Sequence, residues 1–352
     1  MLDVIRSDIR QLTAYQVPDA RGLIKLDAME NPYSLPAALR AGWLAALEHT
    51  ELNRYPDPQA RTLCEVLRQT MAIPEHCGLL LGNGSDELIQ ILALAVTGAN
   101  QRLLAFEPGF VMYRLIAQLT GLEYIGVTLT ADAFALDLDR ALEAITRQHP
   151  ALTFIAYPNN PTGNLFDPQG IEKIIEAAAP GLVVVDEAYA PFANASFMPY
   201  LETAPNLLIL RTVSKMGLAG LRLGYLVGAA ECIDELNKVR LPYNINVLTQ
   251  HSATFALRHQ AIFNQQTEQI CSERQRLIAA FNAIAHIHCY PSAANFLLLR
   301  LSNAPAVFDH LKQQGILVKN LHGSHPLLNN CLRITVGTPE DNTALINVLF
   351  QC

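Results

Sequence analysis

LLILRTVSKMGLAGLR, residues 207–222, is the stretch from which the rest of the chain is best understood. Its first four residues form an apolar run of strand length. The run then breaks into small and polar residues around Lys215 and turns through glycines to Arg222. If its apolar neighbours desolvate Lys215, its pKa falls, and the neutral amine can condense with a carbonyl. A lysine at a strand end with its ammonium in water is the alternative interpretation of this stretch.

The composition excludes several classes of protein. The 352 residues are 51% hydrophobic and 16% charged, which suits about two domains with a large core. A net charge of −7 without a basic cluster argues against a nucleic-acid partner. No apolar run approaches the roughly 18 residues that span a bilayer, and no signal peptide is found. The seven cysteines show no CxxC spacing and indicate reduced thiols, so we expect a soluble cytoplasmic enzyme.

The order of elements predicts an α/β fold. Short apolar strands alternate with helices between about residues 79 and 228, which is typical of a mostly parallel, helix-covered sheet. Residues 232–281 are predicted to be largely helical, and strands and helices alternate again after 295 in a smaller α+β domain. We expect residues 39–245 to form the large domain and residues 246–352 the small one. Residues 1–38 form an N-terminal segment.

A glycine-rich turn precedes one helix of the large domain. Gly84, Ser85 and Asp86 lie between a short apolar strand and a helix that runs to Val96. Free N–H groups at a helix N-terminus favour a phosphate. The turn is not a dinucleotide fingerprint, because Glu87 stands where GxGxxG needs glycine. An ordinary glycine turn with a helix cap remains the alternative.

Polar and aromatic side chains follow the ends of three predicted strands. Phe110 follows the first, Asn160 lies in YPNNPTG after the second, and Asp186 and Tyr189 end the third. Open α/β sheets bind ligands at the carboxyl ends of their strands. We therefore expect these side chains to meet at a ligand site, with core packing as the alternative for Phe110 and a local cap for Asp186.

Two further constellations are set aside. His286 and His288 lie on one face of an extended segment, but no third ligand has a matching spacing, so no metal is expected. Ser214 precedes a lysine, but no nucleophile elbow accompanies it. His322 and His325 are interpreted as loop residues.

Five motifs, in chain order, resemble the fold-type-I pyridoxal-phosphate aminotransferases: PNNPTG, VVVDEAY, TVSK, AGLR and LRITVG. Together with LTAYQ, ENPY, NRYPD and GNGSDELI they are similar, more narrowly, to the histidinol-phosphate aminotransferase family. The similarity runs along nearly the whole chain. It implies a homodimer that uses pyridoxal 5′-phosphate to transfer an amino group from L-histidinol phosphate to 2-oxoglutarate, in histidine biosynthesis. The N-terminal segment would then join the small domain and the dimer interface.

The resemblance also implies roles in cofactor binding. Lys215 would hold the aldehyde covalently and, once displaced, act as the base. Asp186 would pair with the pyridine N–H, while Asn160 and Tyr189 would bond the ring's 3′-oxygen. Phe110 would stack on the ring. The phosphate would be bound by Gly84, Ser85, Asp86, Ser214 and Arg222, and by Tyr55 of the neighbouring subunit. Read without the resemblance, Tyr55 is a packed surface anchor in a proline-bracketed loop.

Substrate specificity would depend on Arg333. A guanidinium matches a carboxylate or a phosphate bidentately, so one arginine can serve glutamate and histidinol phosphate in turn. Tyr15, Asn31 and Lys319 are further predicted substrate contacts, with Asn160.

Three departures from the family's usual pattern accompany the match. Six residues separate Lys215 from Arg222, one fewer than usual, which could shift the reach of Arg222. Phe110 replaces a more usual tyrosine, and Lys319 stands where arginine is frequent. An aromatic amino acid aminotransferase, a phosphothreonine-type decarboxylase and a non-catalytic cofactor-binding regulator remain alternatives.

Overall fold

The computed structural model describes residues 2–14, 16–98 and 101–351. The strands of this part, in chain order, are β1 (Ile24–Leu26), β2 (Cys77–Asn83), β3 (Arg102–Glu107), β4 (Glu123–Thr128), β5 (Leu152–Ala156), β6 (Leu182–Asp186), β7 (Leu207–Thr212), β8 (Leu223–Ala229), β9 (His288–Cys289), β10 (Phe296–Arg300), β11 (Ile316–Asn320) and β12 (Cys331–Thr335). They form one sheet of seven strands and one of five.

The α-helices of the described residues lie mostly between these strands. They are α1 (Ser7–Gln11), α2 (Ala37–Leu47), α3 (Arg61–Thr70), α4 (Ser85–Val96), α5 (Met112–Thr120), α6 (Leu138–Gln148), α7 (Pro168–Ala178), α8 (Ala230–Asn237), α9 (Val247–Arg258), α10 (Gln260–Asn282), α11 (Ala304–Gln313) and α12 (Pro339–Leu349). In the described ranges, none of the helices is both long and apolar enough to span a bilayer.

The seven-stranded sheet is mostly parallel, as predicted. Its strand order is β2-β8-β7-β6-β5-β3-β4, and β8 alone among them pairs antiparallel with both of its neighbours. Both faces are covered, because Val183 and Val185 of β6 pack in one buried cluster while Val184 packs in another. This burial on both sides explains the continuous apolar runs that marked these strands in the sequence.

Two parts of the prediction need correction. The sequence indicated no strand for β4, and only one of its six residues is buried, so this edge strand lacks a strong apolar pattern. The helical region predicted over 232–281 is broken between α8 and α9, where Pro242 cannot continue a helix. Asn246 then starts α9 by accepting the Thr249 N–H with its side chain.

The five-stranded sheet contains one strand from the N-terminal part of the chain, β1, and four from the C-terminal part, β9–β12. Its order is β1-β11-β12-β10-β9, and β1 runs parallel to β11 with Lys25 opposite Leu317. The N-terminal segment therefore shares a sheet with residues 288–335. The pairing involves Ile24–Leu26 alone, and the predicted division of the chain at residues 38 and 245 stays a prediction.

The carboxyl ends of β5, β6 and β7 lie side by side. Ala156 pairs with Asp186, and Asp186 with Leu210. Because the three strands are parallel, the loops that follow them leave the sheet at one edge. The loops that contain Asn160, Tyr189 and Lys215 therefore start at adjacent strand ends.

Candidate active site

A cavity of about 240 Å³ opens at this edge of the seven-stranded sheet. Much of its wall comes from residues that the sequence predicted for the site: Ser85, Asp86, Phe110, Asn160, Asp186, Tyr189, Ser214, Lys215 and Arg222. These residues come from five different connections along the chain. The structure thus brings together side chains separated by up to 137 residues in sequence.

Lys215 is placed by a sharp turn directly after β7. Residues Ser214–Leu218 form one π-helical turn, in which Gly217 has φ of +120°. The Lys215 Nζ donates to the Ala28 carbonyl at 3.5 Å and lies 5.7 Å from the centre of the Tyr189 ring. Burial, and after it the nearby Arg333 charge, lower the pKa of Lys215 to about 8. A substantial fraction of the amine is therefore neutral near physiological pH.

Asp186 ends β6 on the same cavity wall. It is 5% exposed, and its two oxygens accept the Tyr113 hydroxyl at 2.7 Å and the Ala188 N–H at 3.0 Å. Burial raises the pKa of Asp186 to about 6, although both hydrogen bonds act in the opposite direction. This carboxylate is buried and accepts hydrogen bonds only from neutral donors among the described residues. A cationic ligand atom would therefore stabilise its charged form.

Tyr113 is a residue of the site that stands beside Phe110 in the sequence but for which no role was predicted. It is buried on α5, three residues after Phe110, and the two rings meet edge to face at 5.4 Å. Phe110 lies just before the helix, and the Tyr113 backbone N–H donates to the Phe110 carbonyl at 3.2 Å. An aromatic residue so close after a strand end was the available signal.

A chain of hydrogen bonds connects the two sheets across the site. Arg333 on β12 donates from Nη1 to Asn160 Oδ1 at 2.7 Å and from Nη2 to the Asp27 carbonyl at 2.8 Å. Asn160 in turn donates from Nδ2 to the Tyr189 hydroxyl at 3.2 Å. The order of these bonds holds the guanidinium, the amide and the phenol in fixed relative positions.

The start of α4 is open to a ligand. Gly84 precedes the helix with φ of +85°, and a Cβ on Gly84 would lie 2.6 Å from Arg222 Nη2. A Cβ on Gly224 would lie 2.6 Å from the Ser85 backbone nitrogen. The two glycines therefore leave room for an anion at the free N–H groups of the helix. Arg222 Nη2 lies 3.5 Å from Asp86, so the shorter spacing after Lys215 still brings Arg222 to this helix.

Ser214, which precedes Lys215, is held in place by hydrogen bonds to Thr212. Its hydroxyl accepts the Thr212 hydroxyl at 2.8 Å, and its backbone N–H donates to Thr212 Oγ1 at 3.1 Å. Thr212 also lines the cavity and was not predicted. The three N-terminal residues Ala28, Met29 and Glu30, which close the cavity on the other side, were missed in the same way.

A second cavity, of about 450 Å³, adjoins the first. Met29, Phe110 and Asn160 line both. The predicted substrate contacts Lys319 and Arg333 lie in the wall of this second cavity. The two spaces together provide room for a group larger than the one that the first cavity holds.

Three predicted residues lie elsewhere. Asn31 donates from Nδ2 to the Met216 carbonyl and to Gln266 Oε1, both at 3.1 Å, and lines neither cavity. Tyr55 is 81% exposed and stacks on Tyr243 with ring centres 4.5 Å apart. Tyr15 lies outside the described residues.

The site can be compared with known proteins. The chain matches the family model described as aminotransferase class I and II over residues 21–349. It is 54% identical over 347 residues to histidinol-phosphate aminotransferase 2 of Nitrosococcus oceani, covering 98% of this chain and 96% of that one. It is 51% identical over 346 residues to the histidinol-phosphate aminotransferase of Chromobacterium violaceum, covering 98% and 97%.

A solved structure shows the same fold. The histidinol-phosphate aminotransferase from Sinorhizobium meliloti, in complex with pyridoxal-5′-phosphate, matches with a TM-score of 0.88 and 24% identity. The match covers 99% of this chain and 97% of that one. Because the family model spans most of the chain and the curated relatives match nearly all of it, this protein belongs to the class I and II aminotransferases.

Proposed function

We propose that this protein transfers the amino group of L-histidinol phosphate to 2-oxoglutarate, giving imidazole-acetol phosphate and L-glutamate, with pyridoxal 5′-phosphate as cofactor. The reaction is a step of histidine biosynthesis. The observation that carries the proposal is the pairing of an amine of lowered pKa, Lys215, with a buried carboxylate, Asp186, in the wall of one cavity. The names of relatives at 54% and 51% identity support the choice of substrate.

The residues present fit this cofactor. Asp186 is a buried carboxylate whose hydrogen-bond donors are neutral, and a protonated pyridine nitrogen would neutralise it. The open N-terminus of α4, with Arg222 beside it, suits a phosphate. Lys215 would hold the aldehyde. When bound, pyridoxal phosphate supplies an electron sink for the substrate carbon that loses its proton.

The protein's own groups divide the remaining work. Lys215 Nζ, with its lowered pKa, can accept the Cα proton of the amino donor, and in the second half of the reaction it can deliver a proton to the Cα of the new amino acid. Tyr113 donates to Asp186 and favours its ionised form. Asn160 fixes the Tyr189 hydroxyl so that it faces the cavity in one orientation. The apolar and aromatic wall excludes water from these groups.

Arg333 is proposed to bind the anionic group of each co-substrate in turn. Its two terminal nitrogens are already directed by Asn160 and by the Asp27 carbonyl, so the guanidinium is held before a ligand arrives. A fixed fork suits a carboxylate of glutamate and a phosphate of histidinol phosphate. Lys319, in the wall of the adjoining cavity, adds a point charge.

The active form is proposed to be a cytoplasmic homodimer. Tyr55 is exposed, and Leu52 and Leu241, with 71% and 74% of their surface exposed, lie near the stacked Tyr55–Tyr243 pair in sequence. Exposed apolar residues at one place are typical of an interaction surface. The six cysteines in the described ranges are all free, which is typical of a reducing compartment.

A donor panel with the purified, cofactor-loaded protein tests the proposed reaction. Histidinol phosphate is expected to consume 2-oxoglutarate in a one-to-one ratio and to be preferred over phenylalanine. Preference for phenylalanine would identify an aromatic aminotransferase instead. Release of carbon dioxide from a phosphate-bearing amino acid, without consumption of 2-oxoglutarate, would identify a decarboxylase.

A further inference from the structure

We propose that His325 donates a hydrogen bond from Nε2 to the phosphate of the amino donor and thereby helps this enzyme to select phosphate-bearing substrates. This inference rests on the proposed function and deepens it, because it adds a specificity-determining residue to the proposed reaction. The sequence alone suggested only a loop histidine.

The position of His325 is the first argument. It is half-buried in the wall of the 450 Å³ cavity, which shares Met29, Phe110 and Asn160 with the cavity of Lys215. A ligand that reaches from the lysine into the second cavity therefore passes along the wall that contains His325.

The charges of this wall are the second argument. Arg114, Lys319 and Arg333 contribute three cations, whereas Glu107 contributes one carboxylate. Glu107 is already bound by Arg114 at 2.6 Å and by the Tyr124 hydroxyl at 3.1 Å. The wall therefore has an excess of positive charge, which favours an anionic group in the cavity.

The tautomer of His325 is the third argument. Its Nδ1 accepts the Leu327 N–H at 3.1 Å and caps the short turn Pro326–Leu328. Burial lowers the pKa of His325, so the ring is neutral near physiological pH and carries one N–H. Because Nδ1 is the acceptor, that N–H lies on Nε2. His325 can therefore donate from Nε2 to a ligand while its Nδ1 accepts the Leu327 N–H.

Two substitutions distinguish the role of Nε2 in ligand binding from the role of Nδ1 in capping the turn. In His325→Asn the side-chain oxygen lies as many bonds from Cα as Nδ1, so it can keep the cap while the Nε2–H is lost. In His325→Gln the amide nitrogen lies as many bonds out as Nε2 and can replace the donor. His322→Asn is the matched control, because His322 is exposed, lines neither cavity, and also accepts a backbone N–H through Nδ1, from Asn330 at 3.0 Å.

The measurement compares KM for histidinol phosphate with KM for glutamate in each variant. We expect His325→Asn to raise the ratio of the two constants about tenfold, with kcat for histidinol phosphate little changed, since one hydrogen bond to a charged group is lost. Inhibition by inorganic phosphate should weaken in parallel. His325→Gln should restore most of the ratio, and His322→Asn should leave it at the wild-type value.

An equal rise of both KM values, or an unchanged ratio with unchanged phosphate inhibition, would overturn the role of His325. These outcomes are distinct from failure of the proposed function, in which the wild-type protein would not use histidinol phosphate at all. In that case weaker inhibition by phosphate in His325→Asn would still support an anion contact at this residue.

Discussion

At the scale of single residues, burial in one cavity shifts the pKa values of Lys215 and Asp186 in opposite directions. Burial lowers the pKa of Lys215 to about 8 and raises that of Asp186 to about 6. Both shifts have the same cause, because a low-dielectric environment disfavours whichever form carries the charge. The lysine becomes a better nucleophile, and the carboxylate becomes a group that gains from a cationic partner.

The raised pKa of Asp186 predicts that this residue destabilises the cofactor-free protein. The folded state prefers the protonated acid, so the free energy of unfolding falls as the pH rises from about 4 through about 6. The rise in the pKa of this buried group from 3.8 to about 6 corresponds to about 3 kcal/mol of stability lost once the pH exceeds about 6. Asp186→Asn should therefore raise the Tm of the cofactor-free protein at about pH 8, and less at about pH 5, while it weakens cofactor binding. A Tm at pH 8 equal to that of the wild type would contradict this.

Tyr113→Phe tests the hydroxyl that supports Asp186. Its hydrogen bond lowers the pKa of the carboxyl, so its loss should raise that pKa further. Cofactor affinity, measured by fluorescence titration from about pH 8 down to about pH 5, should then begin to fall at a higher pH than in the wild type. Superimposable pH profiles would show that the hydroxyl does not control the charge of Asp186.

The residues proposed to contact the cofactor could be predicted from the sequence, whereas the residues that hydrogen-bond to them could not. Lys215 and Asp186 follow apolar strands, and strand ends in an α/β sheet meet at one edge, so both could be predicted. Tyr113 could not be recognised as a partner of Asp186, since 73 residues separate them and an aromatic residue on a helix is equally suited to the core.

At the scale of elements, the turn that carries Lys215 depends on one glycine. Gly217 has φ of +120°, a conformation that other residues rarely adopt. A Cβ at this position would also lie 3.0 Å from Asn31 Nδ2. Asn31 was predicted as a substrate contact, but the structure shows it bound to the same turn, through the Met216 carbonyl.

Gly217→Ala should destabilise the protein by about 2 kcal/mol or more and reduce activity, because the strained turn would displace Lys215. Gly220→Ala is the control in the same segment, since a Cβ there meets nothing within 4 Å. Thermal unfolding and turnover measured on both variants check this. Equal behaviour of the two alanines would show that the conformation of Gly217 is not required.

Elements with strong apolar patterns were predicted, whereas the edge strands β1 and β4 were not. Strand β5, Leu152–Ala156, has every residue buried, and it is one of the short apolar strands expected between residues 79 and 228. The edge strands β1 and β4 are short or partly exposed, and a pattern of burial cannot mark them. Their places are determined by partners distant in the chain, as when Ile24 pairs with Ile316.

At the scale of the whole molecule, the site is assembled from two sheets. Arg333 reaches Asn160 across 173 residues of sequence, and the pairing of β1 with β11 brings the N-terminal residues over the cavity. Such a juxtaposition has no local signature. Only the resemblance of motifs to a known family indicated that these segments belong to one site.

The proposed dimer predicts complementation between subunits. If Tyr55 serves the partner's site, Tyr55→Ala and Lys215→Ala homodimers should each have low activity. Mixing and re-equilibrating the two should yield heterodimers with one intact site and regain about a quarter of wild-type activity, on the statistics of a two-fold dimer. No gain on mixing, although heterodimers form by mass spectrometry, would place Tyr55 outside the partner's site.

The covalent link between Lys215 and the cofactor is the claim on which the rest depends. Borohydride reduction of the cofactor-loaded protein, followed by digestion and peptide mass spectrometry, tests it directly. We expect the cofactor's added mass on the peptide that contains Lys215, and we expect Lys215→Ala to lack both turnover and the absorbance of the lysine-linked cofactor. Attachment at another lysine, or full turnover by the alanine variant, would contradict it.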